Sequence, residues 1–227
     1  MFTLKLHRIP LHLLWIMALL EGITVPMVAG LPRWIPLETK SVWQGAVVGF
    51  LGLVVLLIIL NRILPRLRVP LGEDTLTGIS VLPAALWNML LLALIFGIQK
   101  LAGLLHIGNW VLHYALSGFL SVGGAVLITL LLYQALSPHL DWLNIHIKST
   151  GKSYTLRRTP VALMALLGGI YEGCALPIIL LWQKASVHVP LTAAVTGILG
   201  GLAGCMIVLL LYNGILRKGL FIGLAED

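Results

Sequence analysis

The chain has 227 residues, of which 59% are hydrophobic and only 10% charged, with a mean hydropathy of +1.02. A soluble domain of this length would carry about 25% charged residues, so the composition excludes an ordinary soluble fold and points to an all-α, polytopic membrane protein. The formal net charge of +7 does not mark a nucleic-acid surface, because the basic residues sit at the ends of apolar runs.

A spanning helix needs about 20 mostly apolar residues. Six segments satisfy this: 11–31, 42–63, 82–104, 111–136, 160–182 and 190–216. The first follows Lys5 and Arg8 and superficially resembles a signal peptide. It is long, contains Glu21 and lacks a clean small-x-small cleavage site, so it reads as a retained span. In the third, the apolar core stops at Ile98, before Gln99 and Lys100.

Eleven of the fifteen Lys and Arg residues fall in the N-terminus, the second and fourth connections and the C-terminus; only Arg33, Lys40, Lys100 and Lys184 fall elsewhere. The positive-inside rule then places both termini in the cytoplasm of a bacterial-type inner membrane, with an even number of spans. The segment 65–80, with Pro65, Pro70, Gly72 and Gly78, reads as a loop. The cytoplasmic connection 137–159 reads either as a short interfacial helix around 140–148 or as a plain tether. No soluble domain fits anywhere, and 1–227 is expected to form one transmembrane domain.

Two spans carry a matching pattern: Glu21-Gly22-Ile23-Thr24-Val25-Pro26 and Glu172-Gly173-Cys174-Ala175-Leu176-Pro177. A charged carboxylate at the centre of a bilayer costs roughly 2.5–3.5 kcal/mol on insertion scales. Its appearance twice in one setting therefore calls for a reason. Self-comparison extends the match. Gly45, Gly49, Gly52 and Asn61 of the second span align with Gly197, Gly201, Gly204 and Asn213 of the sixth. Tyr133-Gln134 of the fourth echoes Tyr212-Asn213, and Leu86-Trp87-x-Met89 of the third echoes Leu14-Trp15-x-Met17. These matches predict three helical hairpins, 11–64, 82–136 and 160–216, the middle one having Ala93 in place of the glutamate. The alternative is chance likeness among leucine-rich helices.

Proline removes a helical hydrogen bond to the residue four positions earlier. Pro26 and Pro177 are therefore expected to kink their helices and free the carbonyls of Gly22 and Gly173. Free carbonyls beside carboxylates are one way in which transporters build midplane cation sites. With the hairpins parallel, Glu21 and Glu172 would lie at one depth. Two carboxylates sharing a dry site cannot both stay charged without a proton or a bridging cation. Thr24, Tyr171, Cys174 and Asn88 could add ligands or hydrogen bonds, and a metal site would centre on Glu21 and Glu172. The alternative is a glutamate serving as interhelical glue.

The remaining signals are structural. Seven histidines show no metal-ligand spacing, with His12 and His113 near span ends and His106, His139, His146 and His188 in connections. The tryptophans mostly flank span boundaries, as interfacial anchors do. Cys174 and Cys205 read as small packing residues rather than a disulfide. No nucleophile–base pair or phosphate loop is visible, so an enzyme is not expected, and no cofactor can be named.

The Glu-Gly pattern in a duplicated apolar segment resembles the high-affinity iron permease family, whose motif is Arg-Glu-Gly-x-Glu on two helices. The resemblance is best over 168–222 and weaker over 18–64. It implies that Glu21 and Glu172 take the first glutamate's place, Gly22 and Gly173 the glycine's, and that the chain passes iron or another cation. Leu20 and Tyr171 replace the arginines, and Thr24 and Ala175 the second glutamates, so ferric specificity does not carry over. That family also has seven spans in inverted repeats. The functional expectation is an inner-membrane permease for a metal ion or proton-coupled solute, active alone, as a homo-oligomer or with a partner subunit. Its alternative is a non-transporting membrane subunit that docks a partner protein, lipid or cofactor.

Overall fold

The computed structural model describes residues 3–6, 8–30, 41–71, 74–105, 107–184, 189–216 and 222–226. The expected six apolar segments are all helical: α1 (His12–Gly30), α2 (Val42–Leu67), α3 (Val81–Ala102), α4 (Trp110–Leu136), α5 (Val161–Ile179) and α6 (Val189–Gly214). Each is long and apolar enough to cross a membrane. Their outward faces expose Trp15, Leu19, Trp43, Leu51, Val55, Leu131 and Leu210. So much exposed apolar surface fits a lipid environment and would be a liability in water.

The helix ends follow local chemistry. Ser41 precedes α2, and its hydroxyl accepts from Gln44 N at 3.1 Å. Asn109 precedes α4 and accepts from Val111 N and Leu112 N. Both are N-cap residues that satisfy orphan donors of the first turn. At its other end α2 runs through Pro65 to Leu67 and stops at Arg68, which adopts a left-handed conformation with φ 47°. A proline in the last turn forfeits a single hydrogen bond, so the helix outlasts the expected boundary at 63.

The connections hold the main surprise. Instead of a loop at 65–80 and a helix or tether at 137–159, short strands assemble into a six-stranded antiparallel sheet. These are β1 (Thr3–Leu6), β2 (Pro70–Leu71), β3 (Asp74–Ile79), β4 (Ile147–Ser149), β5 (Ser153–Thr155) and β6 (Ile222–Glu226), in the order β1-β6-β5-β4-β3-β2. Leu4 faces Leu224, and Tyr154 faces Glu226. The expected interfacial helix shrinks to a single 3₁₀ turn, Asp141–Leu143. One sheet thus gathers both ends of the described chain and the second and fourth connections. It follows that α1, α3 and α5 all start from the sheet.

The sheet is tied to the helices by side chains that bond main chain. Asn213 of α6 accepts from Ile9 N (2.9 Å) and donates to Ile9 O (3.1 Å). Asn61 of α2 makes the same two bonds to Ile79, at 2.9 and 2.8 Å. Gln134 of α4 donates to Thr159 O at 2.7 Å. The buried Tyr212 hydroxyl donates to Leu6 O and accepts from Ile222 N. Trp87 departs from the anchor expectation: it is buried, stacks edge-on against Tyr133 at 5.2 Å and donates to Leu143 O. Apolar residues of the sheet, including Leu76, Tyr154, Leu224 and Ile222, join the helix cores.

Each helix packs against its neighbours in sequence, and α1 meets α6 to complete the circuit. The most intimate pairs are α1 with α6, α2 with α3, and α4 with α5; lesser contacts of α5 with α6, α3 with α4 and α1 with α2 close a ring. Glycine makes this approach possible. A Cβ on Gly197 would stand 2.6 Å from Glu21 O, one on Gly45 2.5 Å from Leu92 O, and one on Gly118 2.7 Å from Glu172 O. Any larger residue there would push two helices apart.

Candidate functional site: a carboxylate-lined cavity inside the helix ring

A partly open cavity of about 1220 Å³, lined by all six helices, lies within the ring. Glu21 stands in the middle of the 19-residue α1, and Glu172 just past the middle of α5. Both line the cavity, and they are the only acidic residues among the described residues that do. Their helices leave the sheet in the same direction, which brings the two carboxylates to similar depth. Each lies within Coulomb reach of the other.

Tyr171 links the two helices. Its hydroxyl donates to Glu21 Oε1 at 3.1 Å. The Thr24 hydroxyl donates to Leu20 O at 2.9 Å and stands 3.5 Å from Glu21 Oε2. Thr24, Tyr171 and Asn88 therefore reach the cavity as expected. Asn88 spends its amide on Gly49 O at 2.7 Å, joining α3 to α2. Glu172 differs from Glu21. Among the described residues no donor bonds its carboxylate, and neither glutamate forms an ion pair.

Three expected site residues lie elsewhere. Gly22 faces Ile198 of α6, and Gly173 faces Ala115 O of α4, so both serve helix packing. Cys174 is half-buried away from the cavity, whereas Cys205 of α6 lines it; both thiols are free. The reason is angular. At 100° per residue, the position two after the glutamate turns to the opposite side of the helix, while positions three or four away return to the same face. Pro26 and Pro177 sit inside α1 and α5, which run unbroken past Glu21 and Glu172, and α5 passes into a 3₁₀ stretch only at Leu180–Lys184.

Other cavity residues had no sequence signal pointing to them. Gln44 is fully buried and donates to Val28 O at 2.7 Å, joining α2 to α1. A buried polar side chain one turn into an apolar span was the available hint. Ser117, His113 and Lys100 also line the cavity. His106 and His188 lie outside the described residues. Among the described residues no three His, Cys, Asp or Glu side chains converge as a metal-binding group.

The cavity walls are unevenly polar. Near the sheet they are aliphatic, formed by Leu6, Leu60, Leu64, Leu76, Val208 and Ile222. Toward the other end they include Gln44, Gln99, Lys100 and His113. The two carboxylates stand between these zones. No protein-family model matches the chain, and neither a curated protein nor a solved structure does.

Proposed function

We propose that the chain is a membrane permease that takes a cation into the cavity between Glu21 and Glu172. One observation carries this reading: two carboxylates from different helices line one cavity, and among the described residues no cation pairs with either. Charge held in an apolar setting needs a partner, and a proton or a bound cation can supply it. The basic connections on the sheet side favour a cytoplasmic sheet and cytoplasmic termini. The reading does not rest on the resemblance to iron permeases, whose arginines and second glutamates are missing here.

The same geometry supports a threefold internal repeat. Asn61, Gln134 and Asn213 each hold a residue shortly before the next odd-numbered helix. Gly45, Gly118 and Gly197 each press on the main chain of that helix. In this arrangement the third counterpart of the glutamates is Leu92, not Ala93. Leu92 stands as far beyond Ile79 as Glu172 stands beyond Thr159, and Gly45 meets its carbonyl. The three hairpins would then be parallel, arranged around the cavity, with one of three acidic positions replaced by leucine.

The test is transport in proteoliposomes with Na⁺, Mn²⁺, methylammonium and dodecylammonium as probes. Glu21→Gln and Glu172→Gln should each abolish flux of the transported cation while the variants still insert and fold. Full uptake in both variants, or movement of none of the probes by the native protein, would overturn the proposal.

A further inference from the structure

We infer that the cation is an amphiphilic organic ammonium, with its head against Glu172 and its apolar tail in the compartment beside the sheet. This deepens the proposed cation site and rests on it. Three observations bear on the choice. First, at about 1220 Å³ the cavity exceeds the 300–1,000 Å³ of ordinary small-molecule pockets, so an inorganic ion would leave most of it without a partner. Second, the lining on the sheet side of the carboxylates is mainly aliphatic, interrupted by Asn88, whose amide is already spent on Gly49 O, and by Cys205. It extends from Glu21 to Leu13 on α1 and from Glu172 to Met164 on α5, eight residues or about 12 Å along each helix. Beyond Leu13 it continues to Ile9 and Leu6, so the sheet itself forms the floor.

Third, the polar groups are placed for a single charged head. Tyr171 already satisfies one oxygen of Glu21, whereas the Glu172 carboxylate faces the cavity with no donor among the described residues. A hard metal ion takes six or more oxygen ligands, and a softer transition metal takes a compact set of His and Cys. No such three-residue group exists among the described residues. An ammonium needs only hydrogen bonds to carboxylate oxygens, with one proton left to balance the second glutamate. Lys100 and His113, at the end away from the sheet, disfavour a cationic head there.

Carbodiimide labelling of Glu172, read by mass spectrometry on the reconstituted protein, tests this. N,N-Dimethylalkylammonium ions from trimethyl to dodecyldimethyl, which keep one N–H and cannot be acylated by the activated carboxylate, would be compared with Na⁺ and Mn²⁺, each at equal aqueous activity. Protection should grow with chain length, by up to about fourfold per methylene until the compartment is full. Ile16→Trp and Met164→Trp, which narrow the compartment, should cut protection by the long chains at least tenfold and leave trimethylammonium unchanged. Protection by Mn²⁺ or Na⁺ with no chain-length dependence overturns the inference while leaving the cation site standing. Protection by none of the probes overturns both, and equal loss for long and short chains in both tryptophan variants also contradicts the two-compartment assignment.

Discussion

The Tyr171 hydroxyl donates a 3.1 Å hydrogen bond to the Glu21 carboxylate, joining residues 150 positions apart on α5 and α1. Tyr171 directly precedes Glu172, so one helix supplies both the second carboxylate and the donor that orients the first. A hydrogen bond to a charged acceptor contributes about 1.5–3 kcal/mol. Tyr171→Phe keeps the ring that packs against Gly204. The variant should therefore still fold, at a loss of no more than about 1.5–3 kcal/mol, and bind the cation about tenfold or more weakly. Carbodiimide protection of Glu21 and Glu172 as a function of cation concentration reads this directly.

Glycine at the helix crossings should be indispensable. A Cβ on Gly118 would stand 2.7 Å from Glu172 O and 3.1 Å from its Cγ, so the substitution moves both the α4–α5 crossing and the carboxylate. Gly118→Val should destabilise the protein by about 1–3 kcal/mol, as overpacking commonly does. Gly214→Ala is the matched control, since nothing lies within 4 Å of the added carbon. Thermal unfolding in mild detergent should separate the two variants by several degrees.

At the sheet, Asp74 and Tyr154 form a local acid pair with a defined pH signature. The Tyr154 hydroxyl donates to Asp74 Oδ2 at 2.9 Å. Burial first, then the bond to Asp74 and the charges of Asp74 and Glu226, push the Tyr154 hydroxyl up to about 12 from its usual 10. Because the folded value is the higher, this stabilisation is complete below pH 10 and is lost as pH rises from 10 to 12. Ultraviolet titration of tyrosinate, with Tyr154→Phe subtracted, should show a late-ionising group that titrates earlier in Asp74→Asn.

The clamps between helix and sheet offer a separate test. Asn213→Leu leaves Ile9 N and Ile9 O without their partners, and unsatisfied buried groups cost about 1–3 kcal/mol each. Hydrogen exchange at Ile9 and along β1 should accelerate at least tenfold. Exchange in β3, held by Asn61, should stay slow.

How much of this was legible in the sequence depended on range. The helices follow from runs of apolar residues, and their observed ends fall within a few positions of the expected ones. The glutamate pair and its Thr24 and Tyr171 neighbours were visible because a carboxylate in hydrocarbon is costly wherever the helix faces. The sheet was not. Its strands are two to six residues long and come from four separate stretches, and Leu4 pairs with Leu224, so no local pattern encodes it. Spacing along α5 turns Cys174 away from the face of Glu172, but it carries no information on Cys205, which belongs to α6. The place of Cys205 depends on where the neighbouring helix places its own face, and only Cys205 turns toward the cavity.

Leu92→Glu probes the threefold arrangement. Leu92 lines the cavity and stands where a third carboxylate would belong. The variant should bring three acidic side chains to one site and acquire Mn²⁺ binding at least tenfold tighter than the native protein's. Electron paramagnetic resonance of Mn²⁺ in reconstituted samples measures this, and unchanged binding would place Leu92 outside the shared site.

The central claim is that Glu21 and Glu172 form one site rather than two. Carbodiimide modification of Glu172, measured by mass spectrometry with and without saturating dodecyldimethylammonium, tests it most directly when native protein and Glu21→Gln are compared. A shared site predicts strong protection in the native protein and at least tenfold weaker protection in Glu21→Gln. Identical protection in the two would show that Glu172 binds its cation without Glu21, and the account would fail.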